Sequence, residues 1–483
     1  MSRKLHAGTA RVEITLREDG VAVNDPLYAK ALVFDDGRTR LALVSLDAVA
    51  IGGIADVTDD FLPALRLRVA RETGIPAEHV LVNASHTHPA NRLVVAPDLL
   101  PARVGDCVRS AWERRAPAVV AWGRGREDRI AVNRTLELKD GGLWTVRRSI
   151  PSPPDEEVAA VRPCDPDIGV LRVDDAGDGR PLALWWNFAC HPLIGVPSGA
   201  VTAGFPGFAS RVIEENMPGV NALFFQGAAG DATELLYKDT GRPLDAEPLG
   251  TRLGLAVLRA ARGLAAADAR LSVIPGKAAL PRRADFGERL AEARAEQARL
   301  CASLRFMSLN FKGFLPLYLK QLQDPAWPGD YSYRYLQERA TGSTDMADLD
   351  RVNRRDVERY RENIRAMEKL SKLADDIATL ERHREINRLA GMAPFEAEVT
   401  GVRIGEFALL ASPLELLTEI GLSIKRASPH PYTFVAGFTN GYGHYGPPAG
   451  DYGRGGYETT ECFLAPEWRA LFEEKAGAIL NRL

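Results

Sequence analysis

Cysteine is scarce in this chain. Five occur in 483 residues, at positions 107, 164, 190, 301 and 462, and no two form a C-x-x-C pair. An odd, scattered set excludes a disulfide framework and a cysteine zinc site, and fits a reducing cytoplasm. Long apolar runs are also missing: the most apolar stretch, Leu41 to Val57, is broken by Asp47 and Asp56. A membrane-spanning helix needs ~18 or more uncharged apolar residues, so no stable membrane insertion is expected. The opening MSRKLHAGTARVEITLREDG starts basic but has no apolar segment, which argues against a secretory signal. Nor is there an excess of either charge: 61 basic and 64 acidic residues leave a net −3. Such a balance offers no general field for nucleic acid. The expectation is a soluble, cytoplasmic protein acting on a small molecule, with no nucleic-acid partner.

What is present can bury a sizeable core. Hydrophobic residues make up 46% of the chain and charged residues 26%, which excludes wholesale disorder. The length suggests roughly two to four domains, or one large core with insertions. Up to about residue 280, strand and helix patterns alternate. Ala29–Phe34 and Arg40–Ser45 read as a hairpin around Asp35-Asp36-Gly37, and 59–73 as a helix stopped by Gly74-Ile75-Pro76. His79–Ala84 is a short strand running into Ser85-His86-Thr87-His88-Pro89, followed by a charged, irregular stretch with a strand near 129–138. Ile150–Asp167, with its prolines, reads as a loop. Ile168–Val173 and Leu182–Ala189 are strands, the second ending at Cys190-His191-Pro192, where Cys190 reads as apolar filler. Ala222–Phe225 ends in Gln226-Gly-Ala-Ala-Gly230-Asp231, and 249–264 is a helix.

Composition changes near Arg282. Val357, Tyr360, Ile364, Met367, Leu370, Leu373, Ile377 and Leu380 recur at threes and fours, the mark of one long amphipathic helix. Leu290, Leu300 and Leu304 suggest an antiparallel partner, with an aromatic stretch, Phe306 to Tyr335, between them. The segment reads as a helical-hairpin insertion that covers a pocket, makes a homo-oligomer contact, or is a remote helical decoration. The β pattern resumes at Phe395, and a helix over 466–483 closes the chain.

Three of only eight histidines fall at strand ends. If strand geometry persists, His86 and His88 point to one face, roughly 6.5–7 Å apart at Cα given the ~3.3 Å rise per residue. Neutral imidazoles suit zinc, and two of them need oxygen donors to complete a site. An H-x-H pair alone also serves as a plain strand cap; His191 at a second strand end favours a metal. The glycine-rich turn after Phe225 lacks the Lys-Ser/Thr of a P-loop. Its Gly227 and Gly230 offer backbone N–H groups to a carbonyl oxygen, or merely make a tight turn. Asp47 either orients a histidine or faces solvent. Four tyrosines (442, 445, 452, 457) interleaved with glycines suit a pocket wall, or equally a plain surface loop.

The order S-H-T-H, V-N-R-T, A-C-H-P, Q-G-A-A-G-D, P-L-E-L-L-T-E and N-G-Y-G-H-Y…Y…G-G-Y-E resembles the catalytic domain of the neutral/alkaline, non-lysosomal ceramidases. The opening A-G-T-A-R-V-E-I-T looks like that family's start. The resemblance spans about 1–280 and 395–460. It implies an α/β, mixed-sheet, ceramidase-like catalytic domain: 1–281 its first part, 282–392 the helical-hairpin insertion, and 393–483 its second part.

By position, the resemblance implies His86, His191, Glu415 and Tyr445 as ligands of a zinc ion (Zn2+), with His88, Arg134 and Tyr457 around the scissile carbonyl. Two imidazoles, a carboxylate and a phenol suit zinc, which lowers the pKa of bound water to about 7 and polarises a carbonyl. His88 would move a proton, and Arg134 and Tyr457 would stabilise an oxyanion. The chain departs from the family at Pro89-Ala-Asn-Arg92, after the first histidine pair, and at Thr233, where the family has serine. It shows neither the signal peptide nor the C-terminal immunoglobulin-like domain of secreted ceramidases. The expected function is therefore a zinc-dependent amidohydrolase acting on an amide or related acyl bond of a small molecule. A true ceramidase or N-acyl-lipid amidase, and a non-catalytic metal-containing binding protein, are the alternatives.

Overall fold

The computed structural model describes residues 4–17, 20–54, 56–89, 99–147, 153–235, 244–329 and 332–483. It divides into two compact units, one formed by residues 1–283 and 387–483, the other by 284–386.

The larger unit is built on two facing sheets. Eight strands lie in the order Asn221–Gln226, Pro181–Phe188, Asp167–Asp175, Ala116–Arg126, His6–Glu13, Tyr28–Asp35, Arg40–Leu46, Val80–Ala84. Neighbours are antiparallel except at the two edges, where Asn221–Gln226 and Val80–Ala84 each run parallel to the next strand. A second sheet has the order Leu271–Leu280, Phe395–Ile404, Phe407–Ala411, Tyr432–Ala436, the last pair again parallel. Alternation along each strand decides what it buries. Leu32 and Phe34, with Leu43, Trp185 and Phe225, face Ile404, Phe407, Leu409 and Phe434 across the inter-sheet core. The opposite residues, such as Ala31, Val33 and Val44, pack on helices Phe61–Thr73 and Leu100–Glu113. At the other end of the large sheet, Trp186, Phe188 and Phe224 pack on helices Gly204–Asn216 and Glu247–Ala261. Helix Trp468–Leu480 backs the second sheet. This is a mixed-sheet α/β architecture in layers.

The structure corrects several sequence expectations. The stretch after Pro89 is irregular only in part: helix Leu100–Glu113 buries Val104, Cys107, Val108 and Ala111 at helical spacing, and strand Ala116–Arg126 follows. Residues 90–98 lie outside those described. Strand Val158–Val161 sits inside the presumed loop of 150–167, of which 150–152 are likewise outside. Helix Gly204–Asn216 hides behind an unpromising start, because Pro206 in a first turn forfeits no helical hydrogen bond.

The smaller unit is helical. Phe286–Ser303 runs antiparallel to the 45-residue helix Asp345–Leu389, with Arg294 near Glu381, and the Arg305 backbone bonded to the Asn363 side chain. The connection is two further helices, Phe311–Gln323 and Tyr333–Thr341.

Candidate metal centre

Strand ends assemble the site. Val80–Ala84 delivers His86, whose φ of 62° turns the chain back so that its N–H meets the carbonyl of Ala48. Pro181–Phe188 delivers His191, whose N–H donates to the carbonyl of Ala232. Beyond the second sheet, Glu415-Leu416 pairs in parallel with Tyr445-Gly446, so that Glu415 and Tyr445 are in register. Gly230 makes this approach feasible: a Cβ there would lie 2.8 Å from the carbonyl oxygen of Glu415. Ligand sites in α/β sheets commonly form outside strand carboxyl ends in this way.

Both histidines are fixed from behind. Nδ1 of His86 is 2.6 Å from the carbonyl oxygen of Val49, and Nδ1 of His191 is 2.6 Å from that of Ala229. A carbonyl only accepts, so each Nδ1 carries a proton and each Nε2 is turned inward, the atom a metal would take. Those two Nε2 atoms face one oxygen: Glu415 Oε1 is 3.4 Å from His86 and 2.7 Å from His191. Burial, then the charge of Arg134, lowers His191 to about 4. Burial alone would raise Glu415, but the neighbouring His86 and His191 hold it well below the usual carboxylate range. A neutral His191 imidazole beside an ionised carboxylate is the protonation state that metal ligands take. His86 Nε2, His191 Nε2 and Glu415 Oε1 thus converge on one point, as the ligands of a divalent cation would. The donor set fits zinc.

Around this point stand the other expected residues. His88 Nε2 is 3.1 Å from His86 Nε2, and the Nε2/Nδ1 donors of His86, His88 and His191 fall within 4.8 Å of one another. Burial, then His86 and His191, holds His88 well below the ordinary histidine value, so it is a neutral base. Arg134 is buried; its Nη2 donates to the Tyr445 hydroxyl (3.0 Å) and the Gly230 carbonyl, and its Nε to Glu458 (2.9 Å). The Tyr457 ring packs edge-on to Tyr445 at 5.5 Å, with the Arg147 guanidinium 4.0 Å over its face. All seven residues singled out from the sequence therefore share one cluster.

Other expectations fail. Gly227 N–H donates to Phe188 O, and Gly230 N–H to Leu416 O, so neither is left for an oxyanion. Asp47 meets no histidine; it accepts from the Tyr28 backbone N–H. Tyr452 turns away to the Leu464 carbonyl. Cys190 is buried filler, its thiol pushed well up by burial. Two roles were not anticipated. Tyr442 donates its hydroxyl to Glu415 Oε2 at 2.7 Å, and Glu458, which also accepts from Thr145, anchors Arg134. Both stand in motifs already quoted, but nothing in the spacing distinguishes a tyrosine aimed at a carboxylate from one aimed elsewhere. Among the described residues, four of the five non-glycine residues with positive φ line this region: His86, Phe438, Asn440 and His444. Such strain concentrates at functional sites; here it lets Phe438 stack on His86, ring centroids 4.1 Å apart.

No protein-family model matches the chain, and no curated protein does. Solved structures do. The neutral ceramidase from Pseudomonas aeruginosa superposes with a TM-score of 0.62 at 17% identity, over 100% of this chain and 75% of that one. A ceramidase complexed with C2 gives 0.61 at 17% identity, over 99% and 76%. The chain has the neutral ceramidase fold.

Proposed function

We propose that this chain, built on that fold, is a metal-dependent amidohydrolase that cleaves an amide or related acyl bond of a small molecule with water. His86, His191, Glu415 and Tyr445 would hold the ion, and zinc is the metal their donors suit. The observation that carries this reading is the convergence of two back-bonded imidazoles on one carboxylate oxygen. When bound, zinc would polarise the scissile carbonyl and make water available for attack near neutral pH.

The protein's own part follows from the geometry. Neutral His88, beside His86, accepts the proton of the attacking water and returns it to the leaving group. Arg134 keeps its charge in a buried setting and holds the Tyr445 hydroxyl. Its Nη1 has no partner among the described residues and is free to meet the developing oxyanion. Tyr457, half-buried against Tyr445, offers a phenol on the same side.

Metal analysis of the purified chain tests the reading, followed by assays on N-acyl and ester substrates before and after chelation and zinc readdition. A protein that takes up no divalent metal, or whose hydrolysis ignores the chelator, overturns it. Ceramide belongs on the panel because the similar solved structures are ceramidases. A second reading exchanges two roles: His86, His88 and His191 ligate while Glu415 acts as base, favoured by the 4.8 Å clustering of the three imidazoles.

A further inference from the structure

The unit formed by 284–386 leaves an apolar surface uncovered by its own packing. Of 20 large apolar side chains exposed among the described residues, 11 belong to this unit, about a fifth of the chain, so exposure is concentrated there. Helix Phe311–Gln323 carries the densest part. Asn310 caps it, accepting from the Gly313 N–H, and Phe314 pins its inner side by stacking on Tyr360, 4.6 Å away. On the outer side Phe311, Leu315, Leu319 and Leu322 are 58%, 39%, 49% and 59% exposed. Steps of four, four and three place them within about 80° of the helix surface. Phe306, just before the helix, is fully exposed. A contiguous apolar face of on the order of several hundred Å² usually has an occupant.

Charge selects the occupant. From residue 297 to 323 there is no aspartate or glutamate, while Arg299, Arg305, Lys312 and Lys320 are basic, in a chain whose net charge is −3. Arg299 is paired with Glu296; the other three have no acidic partner among the described residues. Pairing this face with itself in a two-fold dimer would bring those cations together with no acid in the segment to balance them. We propose that this face adsorbs reversibly to the surface of an anionic lipid bilayer, the apolar stripe entering the headgroup boundary while Arg305 and Lys312 meet lipid phosphates; Lys320, turned to the far side over the Trp327 ring, does not take part. Among the described residues no helix is long and apolar enough to cross a membrane, so the association is peripheral. It does not depend on the proposed reaction.

Sedimentation of the full chain with vesicles tests this, comparing pure phosphatidylcholine with a mixture containing roughly one third phosphatidylglycerol. The wild type is expected to sediment with the anionic vesicles only, and less at high salt. Leu315→Glu/Leu319→Glu and Arg305→Ala/Lys312→Ala should each lower partitioning about tenfold or more, with melting unchanged. Should the glutamate pair fail to fold, the Arg305/Lys312 pair carries the test. Wild-type protein that stays in solution with anionic vesicles overturns the proposal. So do variants that sediment like wild type, or a wild-type dimer that the glutamate pair converts to a monomer.

Discussion

Tyr442 donates its hydroxyl to Oε2 of Glu415 at 2.7 Å, while Oε1 of the same carboxylate faces His86 and His191. One phenol thus decides which oxygen turns inward. Removing such a support behind a metal ligand commonly costs 10–100-fold in affinity. Tyr442→Phe should therefore weaken zinc binding by about that factor, measured by competition with a chelating dye, with the fold intact by circular dichroism. Unchanged affinity would reduce Tyr442 to packing.

The two site readings separate at His88. If it handles the proton, His88→Ala retains stoichiometric metal and loses ~10²–10⁴ in turnover, the usual range for a general acid–base. His191→Ala or Glu415→Ala instead loses metal and activity together. Metal loss in the His88 variant would favour the tri-histidine arrangement.

Thr233 is buried beside His191, its hydroxyl donating to Glu234 at 3.3 Å. Its acceptor Glu234 is already engaged by the Leu193 and Ile194 N–H groups, and water is the proposed attacker. Thr233→Ala should lower kcat only modestly. A variant as inactive as His191→Ala would make Thr233 the nucleophile.

Glu234 is fully buried and accepts from the N–H groups of Leu193 and Ile194, fastening the turn after His191. Burial pushes its carboxyl up to about 7, from an ordinary value of 4.5. Below 4.5 it is protonated folded and unfolded, and above 7 ionised in both, so its contribution to stability is lost as pH rises between those values. The loss is on the order of 3 kcal/mol. Glu234→Gln removes this slope. Its stability relative to wild type should rise from pH 5 to pH 8, read from denaturant melts at both. A pH-independent difference would refute the assignment.

Gly230 admits the Glu415 backbone where a Cβ would come within 2.8 Å of its carbonyl oxygen. Gly230→Ala must displace one strand or the other, at a cost of about 1–3 kcal/mol. Metal affinity should fall with stability, whereas Gly219→Ala, where a Cβ meets open space but φ is 88°, should affect stability alone.

How far the sequence foretold this depends on the kind of signal. Hairpin Tyr28–Leu46 and helix Phe61–Thr73, closed by Gly74 at φ 68°, are dictated by local periodicity and turn chemistry. Histidines at strand ends advertised themselves because histidine is rare here. Glu415 and Tyr445 needed the resemblance: one of 64 acidic residues says nothing until a parallel pairing sets it opposite Tyr445. Tyr442 and the Glu458 anchor of Arg134 depend on side-chain direction, which composition does not encode. Strand Ala116–Arg126 escaped because Gly123 and Gly125, bordered by arginines, break its apolar alternation; they give room to Leu264 and Ala260.

The edge strand leading to His86 carries a further consequence, for synthesis. Val80–Ala84 has Arg40–Leu46 on one side; on its other side Arg66 reaches the Val80 carbonyl, and the rest is closed by residues 437–440: Ala84 N–H donates to Phe438 O, Asn440 N–H to Val82 O, and the Asn83 amide to Gly437 O. That cover is translated about 350 residues later. At ~5–20 residues per second the nascent strand waits roughly 20–70 s with an open edge. An uncovered apolar edge is a template for pairing with another chain. Val80-Leu81-Val82 on the ribosome is thus where chaperone protection matters most, and yields of soluble protein should respond to the speed at which the C-terminal quarter is made.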